Sequence, residues 1–257
     1  MKIILVLLIC STCWSACQPQ PTAQQIVDQA IQAHGGEQLQ QATVSFEFRK
    51  KKYQIRLNHG RFRYESTVRD SIGLVHDVLT NEDFVRTVDG ARQTLNEEDE
   101  VRYRNALNSV VYFALLPYFL NDPAAQKELV VEDTVNGEPY NKVRVTFAEE
   151  GGGDDHEDEY IYWIHQRRHT MDYLAYSFHV NDGGTRFREA YNIREINGIR
   201  FADYINYEST VEDFALETYD RLLSEGKVKE FSRIELKNVQ VDLSSKPQPP
   251  SSPTENM

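Results

Sequence analysis

The sequence predicts a mainly β (α+β) protein: an antiparallel meander with an N-terminal helix and one helical insert. Two observations predict it. Apolar and polar residues alternate in short runs, as in Val44, Phe46 and Phe48 against Ser45, Glu47 and Arg49, or Tyr53, Ile55 and Leu57 against Gln54, Arg56 and Asn58. Alternation of this kind puts successive side chains on opposite faces of a half-buried strand. Turn signals recur between the runs: Asn58-His59-Gly60, Asp89-Gly90, Asn136-Gly137, Asn181-Asp182-Gly183-Gly184 and Asn197-Gly198. Such residues supply the positive φ angles of tight hairpins, and their spacing suggests roughly ten strands.

The chain starts outside this domain. Lys2, the apolar run Ile3 to Ile9 and the small residues Ser15 and Ala16 read as a secretory signal over residues 1–16. The apolar run is far shorter than the ~20 residues a membrane-spanning helix needs. All three cysteines, Cys10, Cys13 and Cys17, lie at this end. Cleavage before Cys17 leaves a single cysteine, which cannot form an intrachain disulfide and is the expected lipid anchor, carrying palmitate-type acyl chains; stable anchoring takes more than one chain. Trp14 stands where such signals usually carry an aliphatic residue. Residues 17–22 then form a lipidated tether, 23–243 the β domain and 244–257 a proline-rich tail with little to bury. The expected location is the bacterial cell envelope, anchored at the outer membrane on its periplasmic or surface side.

The first helix is expected over 23–34. Thr22 and Gln25 have the spacing of a capping box, Ile26, Val27, Ala30 and Ile31 fall on one face, and Gly35-Gly36 can end the helix in the left-handed region. The insert is expected over 97–116. Asn96 can cap it, and Glu97, Glu98 and Asp99 suit the positive end of the helix dipole. Its C-terminal part is apolar over much of its circumference and stops near Pro117, which fits either a core helix or a lid over an apolar cavity.

Net charge is −12. An acidic chain argues against a nucleic-acid partner and against polybasic docking on anionic lipid. Attachment to a membrane is therefore expected through the anchor.

Residues 156–208 allow a register argument. Hairpins centred on 165–170 and 181–184 would align Ile161 with Leu174 and Tyr191, Trp163 with Asp172 and Ile193, and Phe178 with Phe187, on an apolar face. The opposite face would collect His156, His179 and Arg186, then Asp158, Ser177 and Arg188, then Tyr162, Tyr173 and Asn192. Two imidazoles and a carboxylate (His156, Asp158, His179) could hold zinc or serve as an acid/base group. The plainer reading is a solvated outer face, because antiparallel sheets commonly wet one side, and Arg186 and Arg188 oppose a cation there. The acidic loop 149–159 lacks the spacing of a calcium loop. Nucleophile elbows, phosphate loops and zinc-protease motifs are absent from the sequence, and no cofactor is expected.

The opening "TAQQIVDQAIQAHGGEQLQQATVSFEF" and the later "YIYWIHQRRHTMDYLAYSF" and "REINGIRFADYINY" resemble the LolA/LolB-like lipoprotein-carrier superfamily. The landmarks "NSVVYFALLPYFLND", "MDYLAY" and "GGTRFREAYN" are closer still to a group of bacterial envelope lipoproteins with no assigned activity. The carrier resemblance implies a single curved sheet forming an open half-barrel, with helices plugging its mouth and a concave apolar face for acyl chains. By that pattern the lining would include Phe46, Phe48, Phe62, Trp163 and Leu174, then Phe187 and Tyr191, with Val110 and Phe113 from the helical insert. The expected activity is binding of a hydrophobic or amphipathic ligand. Two other readings stand beside it: a metal-dependent or hydrolytic enzyme using the histidine face, and a structural envelope protein with a filled core.

Overall fold

Thr22 caps the first helix as its spacing predicts: its side chain accepts from the Gln25 amide, and the Gln25 side chain accepts from the Thr22 amide. The structure is a computed structural model, and it describes residues 20–150, 158–178 and 183–243. Helix α1 (Ala23–Ala33) buries Ile26, Val27 and Ala30. It ends at His34 and Gly35, the latter with φ +82°. A one-turn helix α2 (Gly36–Leu39) follows directly. A Cβ at Gly35 would overlap the carbonyl oxygen of Gly198, so glycine is required there by close approach as well as by its backbone angle.

The first meander comprises β1 (Thr43–Phe48), β2 (Lys51–Asn58), β3 (Arg61–Asp70), β4 (Gly73–Thr80), β5 (Phe84–Val88) and β6 (Ala91–Arg92). Helix α3 (Glu97–Ala114) then leaves the sheet, with the Asn96 side chain accepting from the Asp99 amide at 2.8 Å. The second meander comprises β7 (Ala125–Val135), β8 (Glu138–Phe147), β9 (Tyr160–His165), β10 (Met171–Phe178), β11 (Gly184–Ile196) and β12 (Ile199–Ser209). A short helix, α4 (Tyr219–Ser224), precedes the last two strands, β13 (Val228–Ile234) and β14 (Lys237–Asp242).

Among the described residues these strands form two seven-stranded antiparallel sheets, ordered β14-β1-β2-β3-β4-β5-β6 and β13-β12-β11-β10-β9-β8-β7. Glu235 and Leu236 carry the chain from β13 in one sheet to β14 in the other. The expected single curved sheet is thus divided in two at the β13–β14 connection, and β6 and β7, at the far edges, are not paired with each other, so the architecture stays open and does not close into a barrel. The expected mainly β architecture with two principal helices is what forms, with fourteen strands among the described residues where about ten were expected.

The predicted turns adopt the angles their residues allow. Asp89, Asn136 and Asn197 have φ of +47°, +51° and +51°, each followed by a left-handed glycine. The β1–β2 hairpin closes through Arg49 and Lys50, with φ of +46° and +70° and no glycine or asparagine to signal it.

Three buried clusters hold the protein together. Leu107, Val111 and Leu115, one helical face at four-residue spacing, pack on Phe46, Ile55 and Tyr64 of the first sheet. Helix α1 packs on Val143, Tyr162 and Leu174 of the second. The third cluster lies on the opposite, outer face of the second sheet, where Leu216, Tyr219 and Leu222 cover Ile161, Trp163 and Phe187. Tyr219 and Phe187 stack at 5.3 Å. Lys142 pins this cover. Its ammonium, buried to 3% exposure, donates to Asp133 and the Glu217 carbonyl, and pairs with Asp220 at 2.8 Å.

Candidate functional site

The register of β9 to β11 decides what faces α3. Ile164 pairs with Met171, but a one-residue bulge follows, so Trp163 pairs with Tyr173, Tyr162 with Leu174 and Ile161 with Ala175. In β10–β11, Leu174 pairs with Arg188 and Phe178 with Gly184. The rows expected from the turns alone, with Leu174 between Ile161 and Tyr191, therefore do not form. Asp172 takes up the extra residue; its carboxylate accepts from Tyr140 and Thr170 and pairs with Arg168 and Arg200. A shift of one residue turns a strand over. Hence β10 presents Leu174, Tyr176 and Phe178 inward, together with Tyr160 and Tyr162 of β9 and Arg186 and Arg188 of β11.

A cavity of about 410 Å³ lies on this inner face, beneath α3. Its apolar wall comes from Phe48, Val110, Phe113, Tyr160, Tyr176 and Phe178. Its polar wall comes from Arg49, Asp158, Arg186, Arg188, Tyr204 and Asn206. Phe231, 55% exposed, stands at its rim, with the Arg186 guanidinium 4.4 Å over its ring.

Arg188 is 8% exposed and lies 4.1 Å over the Phe113 ring of α3. Its Nη2 donates to the Tyr176 hydroxyl at 2.8 Å, while its Nε is buried without a hydrogen-bond partner among the described residues. Asn206, its register partner on β12, is 6% exposed. Its Nδ2 donates to Ser232, and its Oδ1 is buried without a partner among the described residues. Burial pushes the Tyr204 hydroxyl up to about 12, against the nearby charges of Arg188 and Arg200, so it stays neutral and available as a donor.

A second cavity of about 710 Å³ lies on the other side of α3. Leu57, Phe62, Tyr64 and Phe119 line it together with Asn81, Asn105 and Asn108. Ser109, Phe113 and Tyr160 line both cavities, so α3 lies between two hollows.

Of the residues expected to line a cavity, Phe48, Val110 and Phe113 line the first and Phe62 the second. Phe46 stacks on Tyr53 in the packed core, and Leu174 is fully buried in the α1 cluster. Trp163 and Phe187 belong to the outer-face cluster under α4, on the far side of the sheet. The Tyr191 hydroxyl donates to Glu235 at 3.0 Å and lines neither cavity. Of the expected polar row, Asp158, Arg186 and Arg188 come together in the first cavity, whereas His156 and His179 lie outside the described residues, as does Cys17. Among the described residues no group of three His, Cys, Asp or Glu side chains could hold a metal ion.

Sequence reasoning missed Asn206, Tyr204 and Phe231. Asn206 and Tyr204 sit two apart on β12, so alternation places them on one face; the β11–β12 pairing needed to set them beside Arg188 depends on a bulge between Tyr191 and Arg194.

A family model matches residues 2–236. The chain belongs to the DUF6503 family. That family is described as one of unknown function. No curated protein matches the chain. Among solved structures, the DUF6503 chain is similar to a LolA superfamily protein from Nitrosomonas europaea, at 11% identity and a TM-score of 0.47, over 87% of this chain and 92% of that one. It is similar to a DUF1329 family protein from Desulfovibrio piger at 10% identity and a TM-score of 0.44, over 88% and 96% of the two chains. The lipoprotein LppX of Mycobacterium tuberculosis is similar at 12% identity and a TM-score of 0.28, over 62% and 89%.

Proposed function

We propose that this DUF6503 protein is an envelope lipoprotein, tethered through acylated Cys17, that holds a hydrophobic or amphipathic ligand beneath α3. One observation carries the binding reading: a hollow of about 410 Å³, walled largely by apolar and aromatic side chains, lies on the inner face of a sheet whose outer face carries a packed aromatic cluster under α4. Sites for small molecules are commonly ~300–1,000 Å³, mostly apolar, with a few placed polar groups.

Titration with a fluorescent acyl probe tests the reading. Saturable binding is expected, and Val110→Asp should remove it while circular dichroism stays that of a folded β protein. Absence of saturable binding by the folded wild-type protein would refute it. The tether is tested separately: Cys17→Ser should yield unprocessed or soluble protein, and acylation of that variant would refute the anchor.

A further inference from the structure

The polar wall of the α3 cavity has chemistry beyond a site for an apolar chain. The protein carries net charge −12, yet among the described residues three arginines, Arg49, Arg186 and Arg188, line this one hollow against one carboxylate, that of Asp158. Arginine cannot shed its proton in a protein, so the lining holds a local excess of positive charge. Asp158 is itself engaged within the protein. Two buried polar atoms here lack partners among the described residues, the Arg188 Nε donor and the Asn206 Oδ1 acceptor. They sit on paired positions of β11 and β12. Buried polar atoms in native proteins are almost always satisfied, and leaving one unmade is costly.

We infer that this wall takes the anionic head of an acyl amphiphile, a carboxylate or phosphate received by Arg188 with Arg186 beside it. The inference rests on the cavity being a ligand site, as proposed above. The acyl chain lies against Phe48, Val110 and Phe113, and the head group's oxygen accepts from the Arg188 Nε. Asn206 Oδ1 accepts from a hydroxyl on the same head group where it has one, such as a glycerol hydroxyl or the P–OH of a monoprotonated phosphate. A guanidinium suits both carboxylate and phosphate, because its planar fork matches their oxygens.

The experiment compares palmitate, palmitoyl lysophosphatidate and hexadecanol as competitors of the acyl probe. Both anions should bind at least about tenfold more tightly than hexadecanol, as one charge-assisted hydrogen bond in a dry site implies. Preference for the lysophosphatidate identifies a phospholipid source, and parity or preference for palmitate a free fatty acid; either supports the anionic head. Arg188→Gln should erase the preference, weakening both anions at least about tenfold more than it weakens hexadecanol. Should that variant not fold, Arg186→Gln is expected to reduce the preference severalfold. Equal binding of palmitate and hexadecanol by the wild type overturns this inference and leaves the cavity a chain-binding site. So does a loss shared equally by all three ligands in a folded variant. Binding of none of them, nor of the probe, instead removes the ligand reading itself.

Discussion

The outer face of the second sheet buries Trp163 and Phe187 completely beneath Tyr219 of α4, whereas the inner face buries Arg188 and Asn206 beside an open hollow. Hydropathy ranks these faces the other way: the more apolar one is the natural candidate for a greasy pocket, the more polar one for the wet exterior. The difference teaches that alternation reports which face is apolar and leaves open whether its cover is dense or sparse. The cover decides. Leu216, Tyr219 and Leu222 come from a local segment that fits tightly on the outer face, held by Lys142. Helix α3 directs Leu107, Val111 and Leu115 to the first sheet and spans the second mainly with Phe113 and Tyr112, leaving room on both sides.

The largest effect that would break this contrast is on the dry face. Trp163→Ala should cost about 3–5 kcal/mol of stability, the usual range for emptying a large aromatic site, with acyl-probe affinity unchanged where the protein remains folded. Urea denaturation and probe titration on the same sample check both halves. If affinity falls while stability holds, the outer face belongs to the site. Lys142→Met should cost about 3 kcal/mol, because it strands the buried carboxylate of Asp220 without its cation. Adding Asp220→Asn should recover part of that loss, and a double variant as unstable as the sum would count against the pairing.

Acid should load the inner side. His34 caps α1 with Nδ1 2.8 Å from the Ala30 carbonyl oxygen, and burial pushes its pKa down from 6.5 to about 4, against that hydrogen bond. The unfolded chain then binds the proton first, so stability present above pH 6.5 falls as pH drops toward 4 and levels off below it. The full loss approaches about 3 kcal/mol. Comparing urea midpoints of wild type and His34→Gln across that window isolates the contribution, and identical slopes would exclude it. The smallest stability effect is expected at Phe113→Ala. Because its ring already borders a hollow, it should cost only about 1 kcal/mol yet weaken acyl-probe binding severalfold.

Much of the frame was legible in residues whose local chemistry has one reading. Thr22 with Gln25, Asn96 ahead of three acids, and the Asn-Gly and Asp-Gly pairs placed both main helices and several hairpins. The grouping of Arg186 with Arg188 and Asp158 followed from alternation and survives in the cavity wall. What was not legible depended on single-residue insertions. The bulge at Asp172 turned β10 over, so Leu174 went to the α1 cluster and left the row expected with Ile161 and Tyr191. Nothing in a pattern of turns reports such a bulge, because Asp172 is held by Tyr140 of β8 and Arg200 of β12 as well as by Arg168 of its own hairpin turn. Nor could periodicity assign α4 to the outer face, since six residues carry too little repeat to orient.

The pairing of β1 with β14 sets an order of assembly. Val44 meets Val241 and Thr43 meets Asp242, so the first of the described strands waits for the last of them. Until then β1 has β2 on one side only, and its other edge presents bare amides and carbonyls to any passing strand. Contacts between such distant segments close late and slow the final step of folding. A chain interrupted before Lys237 would keep that edge exposed for good, and self-association through β1 is the failure to look for in such a fragment.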